Sequence, residues 1–162
     1  MPERLALRRE VNRSHRQVRS GPTDPVAYNA FDPALQLWVA ACLYRGVELS
    51  YRLLYGIPDE DTADLLYRHS GRFATTLQVP SDQWSPDREA FEDYWATSLS
   101  TVEMDDVTRA YLRGIATVDF LPAPFRWFLG PLHLFLTTGF LPEPFRSELD
   151  LAWGPARQRA FD

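Results

Sequence analysis

The sequence predicts an all-α protein, an irregular helical bundle of about six to eight helices, and three observations predict it. Helix-start signals recur along the chain, with Asp32-Pro33, Asp59 and Ser85-Pro86 each setting a capping side chain before a helical stretch. Apolar residues between these signals fall at helical spacing, and strand-like alternation is confined to Thr76–Pro80. Apolar residues make up 45% of the chain and charged residues 24%, which excludes a disordered polymer and leaves enough side chain for one core. The 162 residues are one helical domain of ordinary size.

Taken in order, residues 3–19 lack proline and glycine and read as a first, strongly charged helix, with Leu5, Val11 and Val18 too sparse for a wide apolar face. Residues 20–31 are a loop, rich in proline, glycine and small polar side chains. A second helix runs from Asp32-Pro33 to Gly56 with apolar residues around most of its circumference, which predicts a central, largely buried helix. Asp59 caps a third helix over about 60–77, Ser85-Pro86 starts a fourth over about 86–100, and Asp106 caps a fifth to about 118. FLPAPFR at 120–126 then recurs as FLPEPFR at 140–146. Two copies are too few for a solenoid. They read as a repeated device in which Leu-Pro stops one helix and Pro-Phe-Arg starts the next. A short apolar helix (126–138) lies between them, and a last short one follows Gly154.

All 17 basic residues are arginine, a usage that reads as genome composition rather than function. Residues 1–20 carry six arginines against two glutamates, and residues 21–162 carry 11 against 20 acidic side chains. A +4 segment is thus joined to a −9 body. Nucleic acid is a poor partner for an acidic body whose basic run is broken by glutamates. A single cysteine, Cys42, excludes an internal disulfide framework and a multi-cysteine metal site. The charged opening residues predict no signal peptide. The longest apolar run, about 15 residues from Trp127 to Leu141, is short of the ~20 that span a bilayer. A soluble, cytoplasmic chain is the expectation.

Chemistry-bearing patterns are few. The three histidines, His15, His69 and His133, include no pair at i, i+3 or i, i+4, so no local metal motif exists. No glycine-rich phosphate loop or Gly-x-Ser-x-Gly elbow occurs. The acidic pairs Glu60-Asp61, Glu92-Asp93 and Asp105-Asp106 sit at or near helix N-termini, where capping and the helix dipole account for them. No catalytic residue is assigned. His15 stands out by its surroundings: on a continuous helix Arg8, Val11, Asn12, Val18 and Arg19 would share its face. A neutral imidazole is a metal ligand, and arginines beside it suit an anionic group. A surface histidine on a basic helix is the plainer account of the same spacing. His69 and His133 read as structural.

VNRSHRQVRS, a loop with Tyr28-Asn29-Ala30, and FDPALQLWVAACL together resemble the MpaB-type oxygenases, a superfamily of all-helical b-type haem proteins that includes the rubber oxygenases. The matching elements are His-x-x-Val-Arg (His15 to Arg19), Tyr-x-Ala-x-Asp-Pro (Tyr28 to Pro33) and Trp38-Val39, and the closing GFLPEPFRSELDLAW at 139–153 is similar to the family's last element. The resemblance implies haem b as cofactor, His15 as the iron ligand and Arg19 as a contact to a propionate or pocket wall. It implies a hydrophobic small-molecule or lipid-like substrate, with peripheral membrane contact and a homodimer as further partner readings. The sequence departs from the pattern in two ways. Ala40 stands where many relatives have histidine after Trp-Val, and the family's upstream Arg-x-x-x-Thr element is missing. The chain is therefore expected to be the C-terminal portion of a longer oxygenase-type domain. The alternative is a degenerate, non-catalytic helical module lacking the upstream half of the haem pocket.

Overall fold

The computed structural model describes residues 2–23 and 27–162. Among these it has eight helices: α1 (Pro2–His15), α2 (Pro33–Tyr55), α3 (Glu60–Thr76), α4 (Arg88–Ser100), α5 (Asp106–Ala116), α6 (Ala123–Phe140), α7 (Glu143–Glu148) and α8 (Pro155–Phe161). Extended backbone pairs only in an isolated antiparallel bridge between Arg19 and Asn29 among the described residues. The all-α fold is as the sequence predicts. The helices fall into two compact units, Met1–Ser98 and Leu99–Asp162.

In the first unit, Asp32 caps α2 by accepting from the amides of Ala34 and Leu35, with proline at the first helical position. Only one stripe of α2 is buried, Gln36, Ala40, Ala41 and Tyr44. Leu43, Leu54 and Tyr55 lie exposed on its other faces, so the expected all-round burial of this helix does not occur. The buried stripe packs on α3. Alanines bring the two helices close, and the space between is filled by rings. Tyr44, Tyr67 and Phe91 are buried together, with Tyr44 edge-on to both Tyr67 (5.2 Å) and Phe91 (4.8 Å). Such edge-to-face pairs add to plain burial because ring edges and faces carry opposite partial charge. Loss of water pushes both phenols up to about 12, so they remain neutral packing groups. Trp38 stacks on Trp95 at 4.9 Å. Arg45 lies over the Phe91 and Trp95 rings while pairing with Glu48 (2.7 Å) and Glu92.

The first helix is held differently. Val11 packs against the cluster of Ala40, Ala74, Leu77 and Val79. Beside it Arg8 donates to the Gln78 carbonyl oxygen of the side chain (3.1 Å), and the Gln78 amide donates to Asn12 (2.7 Å). One apolar residue and a polar clasp therefore anchor a helix with little apolar surface.

In the second unit, α6 packs against α5 and α8. Its anchor is an aromatic cluster in which Phe161 meets Phe140 (5.2 Å), Phe135 (6.0 Å) and Trp153 (5.9 Å). Gly139 makes this possible, because a Cβ there would overlap the Phe161 ring. Arg146 donates to the carbonyls of Thr138 (2.9 Å) and Gly139 (3.1 Å) and lies 4.9 Å over Trp153. It thus caps the end of α6, where carbonyls lack helical partners.

Several boundaries differ from expectation for local reasons. Asp105, not Asp106, caps α5 through the Thr108 amide. Asp87, not Ser85, accepts from the Ala90 amide at the start of α4. Hydrogen bonds from Thr62 and Thr108 hold the Asp59 and Asp105 carboxyls below the usual carboxylate range, as capping requires. The ends of α3, α5 and α7 share one geometry. Gln78, Val118 and Asp150 each adopt positive φ (73°, 51° and 52°). The next amide in each case, Val79, Asp119 or Leu151, reaches back to Ala74, Gly114 or Arg146. This is the Schellman closure, built here without glycine. It stops α5 before the first Leu-Pro, so only the second Leu-Pro, after Phe140, stands at a helix end as expected.

Candidate functional site

The His15 region is assembled from the end of α1 and the segment that leads into α2. α1 ends at His15, four residues short of the expected boundary. Val18 and Arg19 therefore do not continue the helical face that the sequence suggested. Instead the chain turns, with the Val18 amide donating to the His15 carbonyl (3.0 Å). Two backbone bonds then join the following segments: Ser20 N–H donates to the Tyr28 carbonyl (2.7 Å) and Ala30 N–H to the Val18 carbonyl (3.0 Å). The His-x-x-Val-Arg and Tyr-x-Ala-x-Asp-Pro elements are thus stitched together, though residues 24–26 between them lie outside the described ones. The buried Gln36 side chain locks the joint by donating to the Ala30 carbonyl (3.0 Å).

This joint sets Phe31 edge-on to the His15 imidazole, ring centroids 6.4 Å apart. His15 is half-buried. Its Nδ1 is shut off from water and has no hydrogen-bond partner among the described residues. A buried polar atom left unmatched costs about 1–3 kcal/mol, so such an atom in a native fold asks for an explanation. Arg19 sits in the bridge with Asn29 and exposes its side chain.

The other two histidines are elsewhere. His69 is exposed on α3. His133, half-buried on α6, has Nδ1 3.0 Å from the Ala116 carbonyl, which puts the proton on Nδ1 and fixes the ring by one backbone bond. No group of three or more His, Cys, Asp or Glu side chains is arranged to hold a metal ion among the described residues. A haem needs no such group, only one axial donor and an apolar enclosure. His15 is an imidazole with no ion-pair partner among the described residues, a donor of the type that would hold the iron, and the described residues supply the donor without an apolar groove beside it. Open apolar grooves run along α2, where one includes Leu43, Val47, Tyr51 and Leu54, and along α6; neither of these is lined by His15. No helix among the described residues is long and apolar enough to cross a membrane.

Sequence reasoning missed Gln36, Gln78 and Arg146, the polar side chains that join elements. Glutamine and arginine at these positions carry no local signal, because their partners are backbone or side-chain atoms supplied by the fold.

An all-helical chain with these motifs in this order matches the class of helical oxygenase domains. The family model for the ER-bound oxygenase mpaB/B'/rubber oxygenase catalytic domain matches residues 1–162, and the chain belongs to that family. It is 51% identical over 160 residues to uncharacterized proteins of Mycobacterium bovis and Mycobacterium tuberculosis. The match takes in 99% of this chain and 63% of each relative. No solved structure matches the chain.

Proposed function

We propose that the chain forms part of a haem-dependent oxygenase acting on a hydrophobic, prenyl- or lipid-like substrate, in which His15 would hold the haem iron. One observation carries the reading. His15 presents an imidazole with an unmatched, water-shielded nitrogen at the end of α1, inside the motif that the resemblance assigns to the iron ligand. When bound, haem b supplies dioxygen and one-electron chemistry. The work of the chain's own residues is positional. The Phe31 edge limits rotation of the imidazole, and the Val18–Ala30 and Ser20–Tyr28 bonds fix the backbone that follows it. The exposed Arg19 guanidinium is the proposed contact for an anionic edge of the cofactor.

The test is titration of the purified chain with haemin, followed by absorption, beside His15→Ala. A sharp Soret band that saturates at one haem per chain and is lost in the variant is expected. Identical broad spectra for both proteins would refute the assignment. A second reading, a non-catalytic module that pairs with another copy, is favoured by α5. Its charged side carries Arg109 and Arg113, which pair with Glu148 (2.8 Å) and Asp150 (3.1 Å), while Val107 and Tyr111 on the opposite side are 78% and 69% exposed. Sedimentation equilibrium of the wild type and of Val107→Glu/Tyr111→Glu tests the pairing, and a chain that loses a dimer in the variant while binding no haemin in the titration above fits only the second reading.

A further inference from the structure

The α6 groove has no role in the His15 reading, and it has the marks of a binding site. It is an open trough of about 490 Å³. The sequence explains why it is there. Pro131 places no long side chain on one turn of α6, and the buried Gly130 beside it lies against Thr117 and Val118, so a trough lies between the larger Trp127 on one side and Leu134 and Phe135 on the other. Arg126 and Arg157 also line it, and no carboxylate does.

The two cations differ. Arg126 is loosely paired with Asp119 at 3.6 Å, both side chains being about half exposed. Arg157 donates to the Ala152 carbonyl (2.8 Å) and has no carboxylate within ion-pair distance among the described residues. A neutral carbonyl orients this solvent-exposed guanidinium without supplying a counter-charge. The groove therefore combines an apolar trough with a cation that has no carboxylate partner among the described residues.

The geometry points to a binding site for a single-chain carboxylate, such as a fatty acid. The tail lies along Trp127, Leu134 and Phe135, and the carboxylate takes the fork of Arg157. A planar guanidinium matches a carboxylate with two parallel hydrogen bonds, and one free cation balances one negative charge. Trp127, 83% exposed, loses water to the tail. The inference stands apart from haem and from His15.

Calorimetric titration of the full chain with octanoate, decanoate and the neutral analogue decanol tests it. Decanoate is expected to bind at one site, on the order of tenfold tighter than octanoate, as two further buried methylenes require. Decanol is expected to bind at least about tenfold weaker than decanoate, having no charge for Arg157. Arg157→Gln should remove the preference for decanoate while leaving decanol unchanged, a result that general loss of structure does not produce. Leu134→Trp, which fills the trough, should abolish binding of both with the helical circular dichroism retained. Equal affinity for decanoate and decanol, or decanoate binding untouched by Arg157→Gln, would overturn the proposal. So would the absence of saturable binding, or a dimer in sedimentation that Leu134→Trp dissociates, since the groove is then covered by a second copy. Failure of the haemin titration bears only on His15, so the two readings fall separately.

Discussion

The two units of the molecule differ in how deeply their aromatic residues are buried. In Met1–Ser98 the rings of Tyr44, Tyr67 and Phe91 are buried in one cluster, flanked by Trp84 and Trp95. In Leu99–Asp162 the rings of Phe120, Phe125, Trp127 and Phe128 face outward, and the buried residues are mostly small: Ala116, Val118, Gly130, Thr138, Gly139 and Leu149. The second unit is joined instead by the Arg146 bonds to carbonyls, the Arg109–Glu148 pair and the aromatic cluster around Phe161. The contrast separates stability from recognition. Rings in the first unit exclude water from one another, whereas rings in the second unit leave apolar surface open to a ligand or a partner.

The sharpest way to break the comparison is a pair of matched truncations. Phe91→Ala removes a ring at 1% exposure and is expected to cost about 4 kcal/mol, from lost transfer free energy and the cavity left behind. Trp127→Ala deletes a larger ring but should change stability by less than about 0.5 kcal/mol. Urea denaturation of both variants measures the difference, and equal losses would mean that Trp127 is covered in solution.

Next in size is the repeated heptapeptide. Arg146→Ala removes two hydrogen bonds to carbonyls and the stacking on Trp153, with an expected loss of about 2 kcal/mol. Arg126→Ala, at the same place in the first copy, should lie within about 0.5 kcal/mol of wild type. Thermal unfolding of the two variants tests whether one motif serves two purposes. Asp150→Gly is the smallest expected effect and has the opposite sign. It relieves a left-handed residue at the end of α7 and loses only the exposed pair with Arg113, so a gain of up to about 1 kcal/mol is expected. A loss on denaturation would show that the Arg113 pair outweighs the strain.

Much of the fold was legible in the sequence because its signals are local. Asp32-Pro33 starts a helix wherever it is placed, since the carboxylate reaches the free amides and proline lacks a donor to lose. The cap before α3 is of the same kind, and the capping residues of α5 and α4, Asp105 and Asp87, lie within two residues of the positions the sequence indicates. The end of α1 was not legible. Nothing in SHRQVR breaks a helix, and the chain leaves α1 because Val18 and Ser20 find backbone partners at Ala30 and Tyr28. The same holds for the ends of α3, α5 and α7, where Gln78, Val118 and Asp150 do what glycine usually does. His15 was picked out by its neighbours in sequence, but Arg19 was placed on its face only by assuming a continuous helix. The structure instead gives His15 a new neighbour, Phe31.

The two heptapeptides state the division most plainly. FLPAPFR and FLPEPFR both set proline just before a helix, with the Phe and Arg amides donating to the Pro122 or Pro142 carbonyl at 3.0–3.2 Å. Sequence alone determined that much, because fixed proline dihedrals and short-range hydrogen bonds act within a few residues. What became of the side chains was decided by tertiary structure. Phe140 meets Phe161 where Phe120 meets solvent, and Arg146 caps α6 where Arg126 lines an open groove. Burial and charge balance depend on which distant atoms arrive, and no seven residues contain that information.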